Sequence, residues 1–266
     1  MILLITMSAF VSQALYAEHL QARTVAAFDQ YVELTEQRMQ AEEQAASFLR
    51  IDQLPKAERQ AAIERLKQGG VIVNREETLS LGRAIPVPGG IILDWRGTTF
   101  IPGATLAQTL AFLQDYDNHY KFYAPDVERS HLTSHDGQLF KVSLRLRKKI
   151  AVLDTNYDIR YQLLGNERAL ARSVCTRIQE IDNAGQKNEV AKPVGDDNGF
   201  MWRLNSYWRF EQRDGGTYVQ LQAISLTRDI PTGLGWLIGP LISTIPKESM
   251  EFTLTRTRQA LLQTKK

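Results

Sequence analysis

The sequence predicts an α+β fold: a curved antiparallel sheet of about seven strands wrapped on a long C-terminal helix, with an N-terminal helical extension. Three observations predict it. Runs of alternating apolar and polar residues are punctuated by Asp136-Gly137, Gly165-Asn166 and Asp214-Gly215, dipeptides that suit tight hairpin turns. A helical period occupies the chain before them and returns after the last. One long terminal helix is then the available cover for the sheet's apolar face.

Composition bounds the function before any motif does. The 266 residues are 43% hydrophobic and 23% charged, with Lys+Arg 32 against Asp+Glu 30. Such a chain has ample apolar material for a core and is not disordered. A formal net charge of +2 leaves no overall footprint for nucleic acid, so no nucleic-acid partner is expected. The single cysteine, Cys175, excludes an intrachain disulfide and a cysteine-based zinc site. No cofactor or metal is expected.

Met1 to Ala17 carries no charge and is too short for a comfortable span of about 20 residues. Small residues follow the apolar run at Ser12-Gln13-Ala14 and again at Leu15-Tyr16-Ala17. This is the pattern of an export signal, although no Lys or Arg precedes it. A retained anchor and a buried helix are the other readings. On the export reading residues 1–17 are the leader and the protein is periplasmic or extracellular.

Residues 18–70 form the helical extension. Val25, Phe28, Val32, Thr35 and Met39 share one face, and Pro55 suits the first turn of a second helix, Lys56 to Gln68, which Gly69-Gly70 ends. The stripe is expected to dock on the main domain, because it is too short for a coiled coil. Residues 71–88 read as a connecting segment, β-like over Val71 to Val73. The main domain is then 89–264. It opens with a long strand, Ile91 to Ile101, followed by a helix from Thr105 to Gln114 that Thr105 can cap. Six strands follow, with a turn at Lys148-Lys149, and the polar stretch Asn183 to Gly199 reads as a loop. Pro240 and Pro246 predict a flexible gate over Gly233–Pro246, with regular helix only from Lys247.

Alternation assigns the strand faces. Phe140, Val142, Leu144 and Leu146 oppose Lys141, Ser143, Arg145 and Arg147, while Tyr157, Ile159 and Tyr161 oppose Asp158 and Arg160. Trp202, Leu204, Ser206, Trp208 and Phe210 share a face by the same rule. Trp95 joins the aromatic set from the first strand. A filled core has this composition, and so does a ligand pocket with a few polar tips.

The order of elements, with the stretches DWRGTTFIPGATLAQTLAFLQDYDNHYKFYAPDVERS and ISLTRDIPTGLGWLIGPLISTIPKESMEFTLTRTRQAL, resembles the START-like, polyketide cyclase/dehydrase and coenzyme-Q-binding (SRPBCC) superfamily. The resemblance covers roughly Gly90 to Leu262. It implies a helix-grip fold holding a hydrophobic ligand between the sheet and the C-terminal helix. It carries no catalytic motif shared by the whole superfamily. On that basis the candidate ligand-binding residues are Trp95, Phe140, Leu144, Tyr157, Ile159, Tyr161, Trp208 and Phe210 from the sheet, with Ile245 and Phe252 opposite.

Dedicated chemistry is sparse. His131 and His135 have the H-x₃-H spacing of helical zinc ligands, but in a strand they stand about 13 Å apart. His119, Asp117 or a Tyr could serve as acid or base. The basic run Arg145, Arg147, Lys148 and Lys149 reads as a solvated edge or as a contact for an anionic membrane surface. Three functions therefore stand: binding or transport of a hydrophobic small molecule or lipid (isoprenoid or quinone included), a cyclase- or dehydratase-like enzyme, and an interaction protein whose helical arm is the interface.

Overall fold

The computed structural model describes residues 18–44, 47–148, 150–229 and 235–263. Met1–Ala17 and Lys149 lie outside the described residues, so the segment expected to be an export signal and the fourth base of the basic run are not placed.

The helical extension comprises α1 (Ala22–Gln44) and α2 (Lys56–Lys67), joined through a 3₁₀ turn at Arg50–Gln53. The sheet strands are β1 (Ile72–Arg75), β2 (Gly90–Pro102), β3 (Val127–Asp136), β4 (Leu139–Arg147), β5 (Val152–Leu164), β6 (Arg168–Asp182), β7 (Arg203–Arg213) and β8 (Gly216–Arg228). Between β2 and β3 lie α3 (Leu106–Gln114) and the short α4 (His119–Phe122), and α5 (Gly235–Gln263) ends the fold. The strand order is β1-β2-β8-β7-β6-β5-β4-β3, every pair antiparallel. Val190–Ala191 adds a two-residue strand beside β6.

The hairpins form where the turn residues allow them. Asp214 and Gly215 adopt φ of 55° and 76°, the pair of left-handed residues a type I′ turn needs. Thr105 caps α3 as read: its hydroxyl accepts from Gln108 N at 3.2 Å and Gln108 Oε1 accepts from Thr105 N at 3.0 Å.

The sheet is covered on both faces. The inner face and α5 enclose the main core, which includes Ile101, Val142, Tyr157, Phe210, Val219 and Leu254. On the outer face, Phe28, Tyr31, Val32 and Met39 of α1 pack against Trp202, Tyr207, Ile224 and Leu226. Leu66 of α2 joins Phe48, Leu49, Ile51, Phe100 and Tyr218 in a third cluster. The arm therefore buries its apolar stripe within its own chain.

Three expectations change. The helix expected only from Lys247 already runs from Gly235 and continues through Pro240 and Pro246, so no irregular gate occupies 235–246; residues 233–234 lie outside the described set. Trp202 precedes β7 and turns to the outer cluster, where its Nε1 donates to Asp197 at 3.0 Å. The 183–199 segment is not a plain loop: Asp196–Asp197 pairs with Glu18–His19 and ties down the start of the arm.

Candidate functional site

A cavity of about 360 Å³ lies between the inner face of the sheet and α5. The register explains why space remains there. Ile159 pairs with Ser173, Ser173 with Ser206, and Ser206 with Ala223, so three small side chains stand in one row across the middle of the floor. Large residues flank that row: Tyr157 and Tyr161 on β5, Trp208 and Leu204 on β7, and Leu221 on β8. The helix supplies the roof through Ile245, Met250 and Phe252. Interiors normally close to crystal-like density, so a void of this size marks a place the packing leaves open.

One end of the cavity is closed by a hydrogen-bonded aromatic plug. The Tyr116 and Tyr161 hydroxyls meet at 2.8 Å, and the Tyr123 hydroxyl meets Thr257 Oγ1 at 2.8 Å. Burial raises all three phenol pKa values, so the hydroxyls stay protonated. His119 packs beside them, its ring centroid 4.9 Å from that of Tyr116, and donates from Nε2 to the Leu113 carbonyl at 3.1 Å. Burial pushes its pKa down to about 4, so it is a neutral imidazole at neutral pH. At the other end the lining residues Asp126, Lys148, Ile150 and Ala151 are partly exposed.

Eight of the ten candidate ligand-binding residues border the cavity: Trp95, Leu144, Tyr157, Ile159, Tyr161, Trp208, Ile245 and Phe252. Phe140 and Phe210 do not. Phe140 stands behind the tyrosine plug, 5.4 Å from the Tyr161 ring and stacked at 4.0 Å on His135. Phe210 lies parallel to Trp208 at 6.1 Å and is fully buried, so Trp208 screens it from the void. Both share the inward face, but the cavity does not run the full length of the strands.

The basic run is not a free cationic edge. Arg145 is buried and gives a two-pronged contact to Asp154 at 2.6 and 2.7 Å, with a third bond to Glu189 at 2.8 Å. Arg147 pairs with Glu128 and Lys148 with Asp126. Arg145 therefore cannot reach a membrane headgroup, because its donors already hold two carboxylates.

Acid–base candidates are not brought together. Asp117 is exposed, away from the cavity, and accepts from Leu132 N at 2.9 Å while facing His131 Nδ1 at 2.8 Å. Those bonds hold its carboxyl below the usual carboxylate range. His131 and His135 have separate partners, Asp117 and the Gly137 carbonyl. Cys175 is buried, with its thiol pushed up to about 12 by desolvation, which makes it a poor nucleophile. Among the described residues no cluster of His, Cys, Asp and Glu could hold a metal ion.

Sequence reasoning did not assign Ser173, Ser206 and Ala223 to the floor, although it put Ser206 on one face with Trp208; it read Lys148 as a membrane contact and overlooked Asp126. The first three did leave a signal: small side chains at inward positions of strands whose other inward positions are large.

No protein-family model matches the sequence, and no curated protein matches it. Solved structures do resemble it. A STAR-related lipid transfer protein from Xanthomonas axonopodis is 18% identical, with 71% of this chain and 98% of that one covered at a TM-score of 0.47. An aromatase/cyclase from Streptomyces sp. R1128 is 9% identical, with 66% and 97% covered at 0.48. Human STARD10 is 10% identical, with 79% and 80% covered at 0.40. In this chain itself an antiparallel sheet grips its C-terminal helix over the stretch Gly90 to Leu262 that carries the START-like resemblance, and the fold is the helix-grip fold.

Proposed function

We propose that this protein binds a hydrophobic small molecule or lipid in the cavity between the sheet and α5. The observation that carries the reading is the cavity itself: about 360 Å³, floored by Ser173, Ser206 and Ala223 and walled by aliphatic and aromatic side chains. Ligand pockets span about 300–1,000 Å³, so the space suits a ligand of drug size or one acyl or isoprenoid chain. Affinity comes mainly from removing apolar ligand surface from water, at about 25 cal/mol per Å². Carrier function outside the cytoplasm belongs to the same proposal; N-terminal sequencing of the native protein should find a start near Leu15 or Glu18.

Binding is favoured over catalysis because the closed end of the void presents phenols held protonated and a neutral, hydrogen-bonded histidine. It is favoured over an arm-mediated interaction because α1 already buries its apolar stripe on the sheet. Native mass spectrometry after purification in mild conditions tests the proposal. A retained mass released by organic extraction is the expected result. A bare protein that also takes up no hydrophobic probe overturns it.

A further inference from the structure

The open end of the cavity carries two charges that the apolar walls do not need. Among the described lining residues Asp126 and Lys148 are the only charged side chains, His119 being neutral, and they face each other as an ion pair. Each keeps about a quarter of its side chain exposed, with relative exposures of 26% and 25%. Backbone bonds fix their bases: Arg147 N donates to the Asp126 carbonyl at 2.9 Å, and Lys148 N donates to the Ala151 carbonyl at 2.9 Å.

A third charge stands nearby. Arg256 lies over the ring of Phe252 with its guanidinium carbon 5.2 Å from the centroid, and Phe252 lines the cavity. Its Nη2 donates to the carbonyl of Ala124, two residues before Asp126, at 3.3 Å. Among the described residues no carboxylate pairs with Arg256. Arg256 thus adds a second cationic side chain near the end where Lys148 meets Asp126.

We propose that Lys148 is the headgroup-recognition residue of the cavity, and that the ligand is a single-chain amphiphile with an anionic head. The inference rests on the binding reading above and deepens it. The tail fills the apolar space between the serine row and α5. The head stays at the open end and takes the Lys148 ammonium from Asp126. That exchange costs little, because partly exposed ion pairs contribute only slightly to stability. A lysine suits this role because its charge is compact and its four-carbon stem can move from one acceptor to another. The Asp126 carboxylate holds the ammonium in place while the cavity is empty and competes with the ligand for it.

The test uses dodecanoate, 1-dodecanol and dodecylamine, three probes with one tail and heads of different charge. Titration is followed by tryptophan fluorescence, since Trp95 and Trp208 line the cavity. Dodecanoate is expected to bind the native protein most tightly. Lys148→Met should weaken dodecanoate about tenfold, the worth of a charge-assisted hydrogen bond, and leave dodecanol nearly unchanged. Asp126→Asn should tighten dodecanoate, because the competitor is gone, and this variant keeps the proposal testable if Lys148→Met folds poorly. Equal affinities for all three probes, or tightest binding of dodecylamine, overturn headgroup recognition by Lys148 while the cavity reading stands. Failure of every probe to bind overturns both.

Discussion

Gly97 faces Leu254 with no room for a methyl group between them. A Cβ at Gly97 would lie 2.5 Å from Leu254 Cδ1 and 2.7 Å from Met250 Cγ. The closeness seats α5 hard against β2, while the serine row on β6 and β7 leaves the gap farther along the sheet. Gly97→Ala is expected to destabilise the fold by about 1–3 kcal/mol through overpacking. It should also tilt the helix and change the volume of the cavity. Chemical denaturation and probe affinity on the same variant check both. An unchanged midpoint would show that the helix is not held by this contact.

Asp94 is a buried carboxylate on the outer face, under α1. It accepts from Gln222 Nε2 at 2.8 and 3.0 Å and from the Tyr31 hydroxyl at 3.1 Å. Burial, the largest influence, raises its pKa from 3.8 to about 6 against those hydrogen bonds. A raised acid pKa means the native state holds a proton that the unfolded chain has released. Asp94 therefore adds stability as the pH falls through about 6, fully gained below 3.8, and withdraws it as the pH rises. Thermal midpoints of the native protein and Asp94→Asn should diverge between pH 4 and 6 and run parallel above pH 7. Parallel curves throughout would show that Asp94 ionises normally.

Much of the fold was legible because it depends on local rules. Alternation placed Tyr157, Ile159, Tyr161 and Trp208 on one inward face, and the Asp-Gly turn at 214–215 set the last hairpin. What stayed hidden depends on partners distant in sequence. Arg145, Arg147 and Lys148 look like an unpaired cationic run, yet their carboxylates come from Asp154, Glu189, Glu128 and Asp126. Pro240 and Pro246 looked like helix breaks. A proline removes its own backbone bond and crowds the carbonyl one turn back, but α5 is 29 residues long and its face is packed on the sheet. The volume of the cavity was illegible for another reason: alternation says which way a side chain points, and not how closely the opposite layer approaches.

Arg209 clamps the arm to the sheet. Its side chain is 5% exposed, pairs with Glu42 at 2.9 Å, and donates to the Phe48 and Met39 carbonyls at 2.9 and 3.0 Å. The guanidinium also sits 5.7 Å from the Phe48 ring centroid. Removing it leaves Glu42 and two buried carbonyls without their donor, so Arg209→Met should cost about 3–5 kcal/mol. Lysine cannot reproduce the fork, and Arg209→Lys should recover only a small part. Urea unfolding measures both; a loss under about 1 kcal/mol in the methionine variant would mean that water replaces the clamp.

Ile159 is the residue on which the cavity and a filled core make opposite predictions. It stands in register beside Ser173, with Ser206 and Ala223 beyond, and it borders the void. In a close-packed interior, Ile159→Trp would overpack and cost about 1–3 kcal/mol. Over the serine row the added ring has space to enter, and the unfolding free energy should change by less than about 1 kcal/mol. The same ring then occupies the place of the ligand tail. Uptake of dodecanoate and of dodecanol should both fall, because tail burial is common to them, whereas Lys148→Met should affect only the first. A strongly destabilised tryptophan variant would mean that the space closes in solution, and the binding proposal would fail with it. Stability and uptake must therefore be read on the same preparation, since only the combination of retained fold and lost binding places the ligand between β5, β7 and α5.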